Sequence, residues 1–155
     1  MSLPEIYTLD ITKNFTLLEF IKSDTATKNK VDNVPKDISI LNNIIYLVKY
    51  FLQPVRDHLG LAITVSSGYR CKALNSLVGG SASSSHMEGL AVDFNVQGFP
   101  QPSEHFPFIT NQLKGIAQGS QYVFDQLILE PTWIHLGVKP KGQVGRKEVL
   151  DLSKK

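Results

Sequence analysis

His86, Asp93 and His135 are the residues of this 155-residue chain whose types and placement suit metal chemistry. Asp93 follows His86 by seven residues, inside the run Ala91-Val92-Asp93-Phe94-Asn95-Val96. That run alternates, so Val92, Phe94 and Val96 share one face of a half-buried strand and Asp93 is turned to the other. Gly89 permits a turn that folds the imidazole back toward the carboxylate. Taken alone, the pair reads first as an ordinary hydrogen-bonded His–Asp contact and second as half a metal site. His135 enlarges the set. In WIHLGV, Trp133, His135 and Gly137 share one face while Ile134, Leu136 and Val138 share the other, so a second strand presents His135 as the first presents Asp93. Two neutral imidazoles and one carboxylate form a normal catalytic zinc set, with the fourth position left to water. Zinc lowers the pKa of that water, and a nearby carboxylate takes its proton as it attacks a carbonyl. Glu130, five residues before His135, is the obvious carboxylate. Asp125, in the preceding strand, is the alternative, with pairing to a histidine or backbone donor as its structural role. His58 and His105 read as surface or partly buried imidazoles.

The elements that position these residues are legible as patterns. Thr16 precedes Glu19 by the capping-box spacing, which predicts a short helix burying Leu17, Phe20 and Ile21. Residues 25–34 are polar and read as a loop. A long helix follows over 35–59, with Ile38, Leu41, Ile45, Val48, Leu52 and Val55 as its apolar stripe, a kink at Pro54 and a stop at Gly60. A short strand over 61–65 leads to the turn Ser66-Ser67-Gly68-Tyr69-Arg70, and a helix over 70–77 turns Ala73, Leu74 and Leu77 inward. The Gly- and Ser-rich stretch 78–85 is a flexible loop that delivers His86. Beyond the Asp93 strand, a helix over 103–118 buries Phe106, Ile109, Leu113 and Ile116 and stops at Gly119. YVFDQLIL and WIHLGV, separated by Glu130-Pro131-Thr132, make an antiparallel hairpin. Residues 1–140 read as one domain and 141–155 as a charged surface tail.

Composition narrows the function classes. At 42% hydrophobic content the chain supports one compact core. A net charge of +2, without a basic stripe interleaved with aromatics, gives nucleic-acid binding no support. No apolar run approaches the roughly 20 residues of a membrane span. MSLPEIYTLD lacks the charged and apolar regions of a signal peptide, so any export is expected to use another route. The single cysteine, Cys71, excludes an internal disulfide and a cysteine-rich zinc cluster, and reads as a packed thiol. A bound metal must then be held by nitrogen and oxygen.

The string SSGYRCKALNSLVGGSASSSHMEGLAVDF, followed by FDQLILEPTWIH, resembles the M15 family of zinc peptidases. The likeness is to its short D-alanyl-D-alanine carboxypeptidase-like branch of bacteria and phages. It runs from about Phe15 through VPKDISILNN and LQPVRDHLG to about Val138, and its specificity lies in the ordered combination. The resemblance implies an α+β fold of the Hedgehog/DD-peptidase type, with helices packed on an antiparallel-rich sheet. It implies zinc bound by His86, Asp93 and His135, and hydrolysis of peptidoglycan stem peptides at or next to D-alanine. Arg70, the arginine of the SGYR segment, takes the substrate-recognition role, with a guanidinium fork suited to a carboxylate or a scissile carbonyl. Ser84 is the motif serine, and Tyr69 and Trp133 flank the site as substrate contacts. Glu130 becomes general base and then acid, although the spacer to Trp133 is shorter than the branch pattern, which keeps Asp125 in view. A monomeric enzyme acting on the cell wall, as phage lysis enzymes do, is the expectation. A non-catalytic wall-binding or phage structural domain retaining the metal is its rival.

Overall fold

The computed structural model describes residue 5 and residues 8–118 and 120–154. The expected helix stop at Gly119 lies outside them, as do residues 1–4, 6 and 7 of the segment read for a leader. Two short strands, β1 (Asp10–Thr12) and β2 (Phe15–Thr16), pair antiparallel. Helix α1 (Leu17–Ile21) starts where Thr16 N–H donates to Glu19 Oε2 at 2.7 Å, the reciprocal cap expected from sequence, and buries Leu17, Phe20 and Ile21. The 25–34 stretch is not wholly loop. Ser23 Oγ accepts from Ala26 N–H and caps α2 (Asp24–Lys28), whose small polar residues carry no apolar period.

The long helix is α3 (Ile38–Leu47), a π-turn (Val48–Leu52) and α4 (Gln53–Leu59), ended by Gly60 at φ 65°. Gln53 N–H donates to Val48 O, five residues back, just ahead of Pro54. Proline has no N–H to donate to Tyr50, and its ring crowds that carbonyl, so the widened turn is the form the expected kink takes. The buried edge also differs from the predicted stripe. Ile38 and Ile45 are exposed, whereas Ile44, Leu47, Val48, Phe51, Leu52 and Val55 face the core. Both edges are apolar in sequence, and the sheet selects one of them.

The main sheet runs in the order β3 (Ile63–Ser67), β4 (Ala91–Val96), β6 (Ile134–Val138), β5 (Phe124–Leu129), β7 (Glu148–Asp151). Neighbours are antiparallel except β5 and β7, which are parallel. The 141–155 segment, read as a tail, therefore supplies an edge strand. Its side chains stay partly exposed, which is why it lacks an apolar signature. Between β3 and β4, α5 (Lys72–Leu77) buries Leu74 and Asn75, while Ala73 and Leu77 face outward, against expectation. Helix α6 (Phe106–Ala117) packs on α4 and β5 and buries Phe106, Ile109 and Leu113. Val92, Phe94, Ile134 and Leu136 enter the core from one face of the sheet at no more than 0% exposure each, leaving the opposite face to carry chemistry. The architecture is α+β, helices on an antiparallel-rich sheet, as the sequence predicts. No described helix is long and apolar enough to cross a membrane.

Candidate metal centre and active-site cleft

Alternation along β4 and β6 turns Asp93 and His135 to the same face, and pairing makes them direct cross-strand partners. Asp93 Oδ1 lies 2.8 Å from His135 Nδ1. His86 reaches the pair from a 3₁₀ turn (Ser85–Glu88), more ordered than the flexible loop expected there. Ser84 Oγ accepts from His86 N–H at 3.2 Å and caps that turn, and Gly89, at φ 73°, closes it. Arg70 N–H donates to His86 O at 3.0 Å, tying the turn to the SGYR segment.

His86 is 2% exposed, and its ring is oriented by Gly68 O, which accepts from Nδ1 at 2.7 Å. Because a carbonyl only accepts, neutral His86 carries its proton on Nδ1 and directs the lone pair of Nε2 outward. That lone pair faces Asp93 Oδ2 at 3.3 Å. Two acceptors set against each other call for a proton or a cation between them. Ligand atoms of His86, Asp93 and His135 all lie within 4.8 Å of one another. In a tetrahedral zinc site with bonds near 2.0–2.1 Å, neighbouring ligand atoms stand roughly 3.3 Å apart, as His86 Nε2 and Asp93 Oδ2 do. The imidazole held by a backbone carbonyl is the usual support of a metal-ligating histidine. The donor set therefore fits a divalent metal. Burial raises the pKa of Asp93, but the hydrogen bond from His135 and the adjacent His86 ring outweigh it and hold the carboxyl well below the ordinary range. Asp93 is an anion at neutral pH.

A cavity of about 690 Å³ opens over the cluster, bordered also by Arg70, Glu130 and Trp133. Arg70 Nε is buried and makes no hydrogen bond among the described residues. Burial lowers the guanidinium's pKa from its ordinary value, opposed by the charge of Asp93. Glu130 is 8% exposed, and its N–H donates to Trp133 O at 2.9 Å, closing the short hairpin turn. Asp125 also reaches the cavity wall but is held by Arg146, whose Nε and Nη2 donate to its two oxygens at 3.0 Å, with the Arg146 N–H at the same distance. Ser84 borders this cavity, whereas Tyr69 lies outside it, packed in the core and touching only the adjoining cavity. His58 and His105 stand elsewhere: His58 Nδ1 meets Pro54 O, and His105 stacks edge-on against Phe99. Cys71 is half-buried, and its sulfur caps α5 by accepting from Leu74 N–H.

Three supporting groups escaped the sequence reading. Gly68 acts through a backbone carbonyl, which no side-chain pattern announces. Asn33 sits within a stretch read as loop. It donates to Ile21 O and Tyr69 O and accepts from Cys71 N–H, fixing the chain on both sides of Arg70. Arg146 lies in the charged C-terminal segment, where only its contact with Asp125 distinguishes it from neighbouring cations.

A family model described as Peptidase M15 matches residues 13–128. The match takes in Arg70, Ser84, His86 and Asp93, and stops short of Glu130 and His135, which the hairpin brings to the same cluster. No curated protein matches the chain. Matched over most of its length, the chain belongs to the M15 family of peptidases, whose chemistry is metal-dependent hydrolysis of peptide bonds.

Proposed function

We propose that the protein is a zinc peptidase that hydrolyses peptidoglycan stem peptides at or next to D-alanine. The observation that carries the reading is the opposition of His86 Nε2 and Asp93 Oδ2 at 3.3 Å beside His135, at the floor of a cleft. An imidazole–carboxylate set of this kind favours zinc over magnesium or calcium, which prefer oxygen donors alone. Zinc held there supplies Lewis acidity and a water acidic enough to be deprotonated near neutral pH. His86 and His135 contribute neutral nitrogen lone pairs, and Gly68 O keeps the proton of His86 on the far side of its ring. Glu130, in the same cavity, takes the proton of the attacking water and returns it to the departing amine. The engagement of Asp125 with Arg146 supports Glu130 over Asp125 in that role. Arg70, which borders the same cavity, offers its guanidinium to a substrate carboxylate or carbonyl oxygen. Ser84 caps the turn that carries His86, and Trp133 forms one wall.

The test is hydrolysis of purified cell wall by the zinc-loaded protein, with and without a chelator. Release of peptide or D-alanine that stops with chelator and returns with zinc is the expected result. Wall binding without release at any zinc level overturns the enzyme reading in favour of a binding domain.

A further inference from the structure

The cleft does not end at the metal cluster. A second cavity of about 460 Å³ adjoins the first and shares Arg70, Val78, Asp93 and Trp133 with it. The first lies over β6 and β5, where Gly137 and Gln126 border it. The second lies over β3, at Ser66 and Ser67, and reaches the start of α2 at Ser23 and Thr25. Since β4 stands between β3 and β6, the two cavities extend to opposite sides of Asp93 and together cross four strands of the sheet. With strands about 4.8 Å apart, the distance from β5 to β3 is about 14 Å, which an extended peptide of about 3.3 Å per residue covers with roughly four residues. Arg70, which borders both cavities, stands at the junction and not at a closed end.

We infer that the protein is an endopeptidase: its cleft binds substrate on both sides of the scissile bond and has no need of a free C-terminal carboxylate. This rests on the peptidase reading above. A carboxypeptidase requires a site that ends one residue past the reacting carbonyl, with a cation holding the terminal carboxylate. Here the groove continues in both directions from the cluster, and its far half is bordered by polar side chains of both charges, the exposed Lys22 and Asp24 with Ser23, Thr25 and Ser66, so no lone cation closes it. Arg70 then serves a carbonyl oxygen within the chain.

The experiment compares stem-type peptides of about six residues, with the susceptible bond central, as free acid and as C-terminal amide. Zinc-loaded protein is expected to cleave both at the internal bond, with kcat/KM within about threefold of each other, because no contact to the terminus is lost. Cleavage confined to the last residue, with a loss of about 10²-fold or more on amidation, overturns the inference while leaving the peptidase reading intact. Absence of hydrolysis of both peptides and of purified wall overturns the peptidase reading and the inference with it. Thr25→Trp, which fills the second cavity, is expected to raise KM about tenfold for the long peptide and less for one truncated on that side. Equal effects on both peptides count against the inference. Trp133, the only tryptophan, borders both cavities and gives a readout independent of turnover. Its fluorescence is expected to respond to acid and amide with Kd values within about threefold, and a response to the acid alone is the opposing result.

Discussion

Removal of the Asn33 side chain probes how the site is held in place. Asn33 is 6% exposed, and its amide donates to Ile21 O at 2.8 Å and Tyr69 O at 2.9 Å while accepting from Cys71 N–H at 2.7 Å. One side chain thus joins the end of α1 to the segment that carries Arg70. Asn33→Ala strands three buried backbone groups, each costing about 1–3 kcal/mol when left without a partner. These share one site and relax together, so the sum falls to about 3–6 kcal/mol. That is a large fraction of the roughly 5–15 kcal/mol that holds a domain folded. For a chain of this size each kcal/mol lowers Tm by roughly 2–4 °C, so a fall of about 6–24 °C is expected by scanning calorimetry or thermal melts. Asn33→Asp sharpens the test, since a carboxylate places oxygen against both carbonyls. Its folded-state pKa is raised above the unfolded value, so stability is greatest below about pH 3.9 and is lost as pH rises through the folded value. A Tm within about 3 °C of wild type for Asn33→Ala refutes the latch.

Further expectations concern the cleft and its support. Glu130→Gln lowers kcat by about 10²- to 10⁴-fold with zinc still bound, while Asp125→Asn lowers Tm and keeps turnover within about tenfold; paired steady-state kinetics and metal analysis separate them, and unchanged turnover in Glu130→Gln removes it as base. Burial raises the pKa of Asp125, but hydrogen bonds from Arg146 overcome this and lower it. The stabilisation from that pair is therefore complete above the unfolded carboxyl pKa of about 3.9 and is lost as pH falls through the lower folded value. Melts of Arg146→Met against wild type are expected to show a Tm gap that is full near neutrality and closes in acid; a gap independent of pH contradicts the pairing. In Gly68→Ala, a Cβ would stand 2.5 Å from Phe20 O, so the segment must shift and carry with it the carbonyl that orients His86. Zinc affinity by chelator competition is expected to fall about 10- to 100-fold, and wild-type affinity is the contrary result.

Much of the candidate site is written locally. Alternation in AVDFNV and WIHLGV is a property of neighbouring residues, so it determines, before any packing is known, that Asp93 and His135 leave the core face of their strands. Capping and turn chemistry likewise announced α1 and the stop at Gly60. Tertiary structure decided whatever depends on residues far apart in the chain. Which edge of the long helix is buried follows from contact with the sheet, because both edges are apolar. Strand β7 exists because β5 has a free edge to pair, which the four residues Glu148-Val149-Leu150-Asp151, too few to show an alternation, do not reveal. The proton position on His86, the latch at Asn33 and the capture of Asp125 by Arg146 all rest on partners 12 to 38 residues distant, several of them backbone atoms. Residue types thus determined which groups stand available for metal chemistry, and long-range hydrogen bonding decided which of them are turned to it, because a backbone carbonyl carries no mark of itself in the sequence.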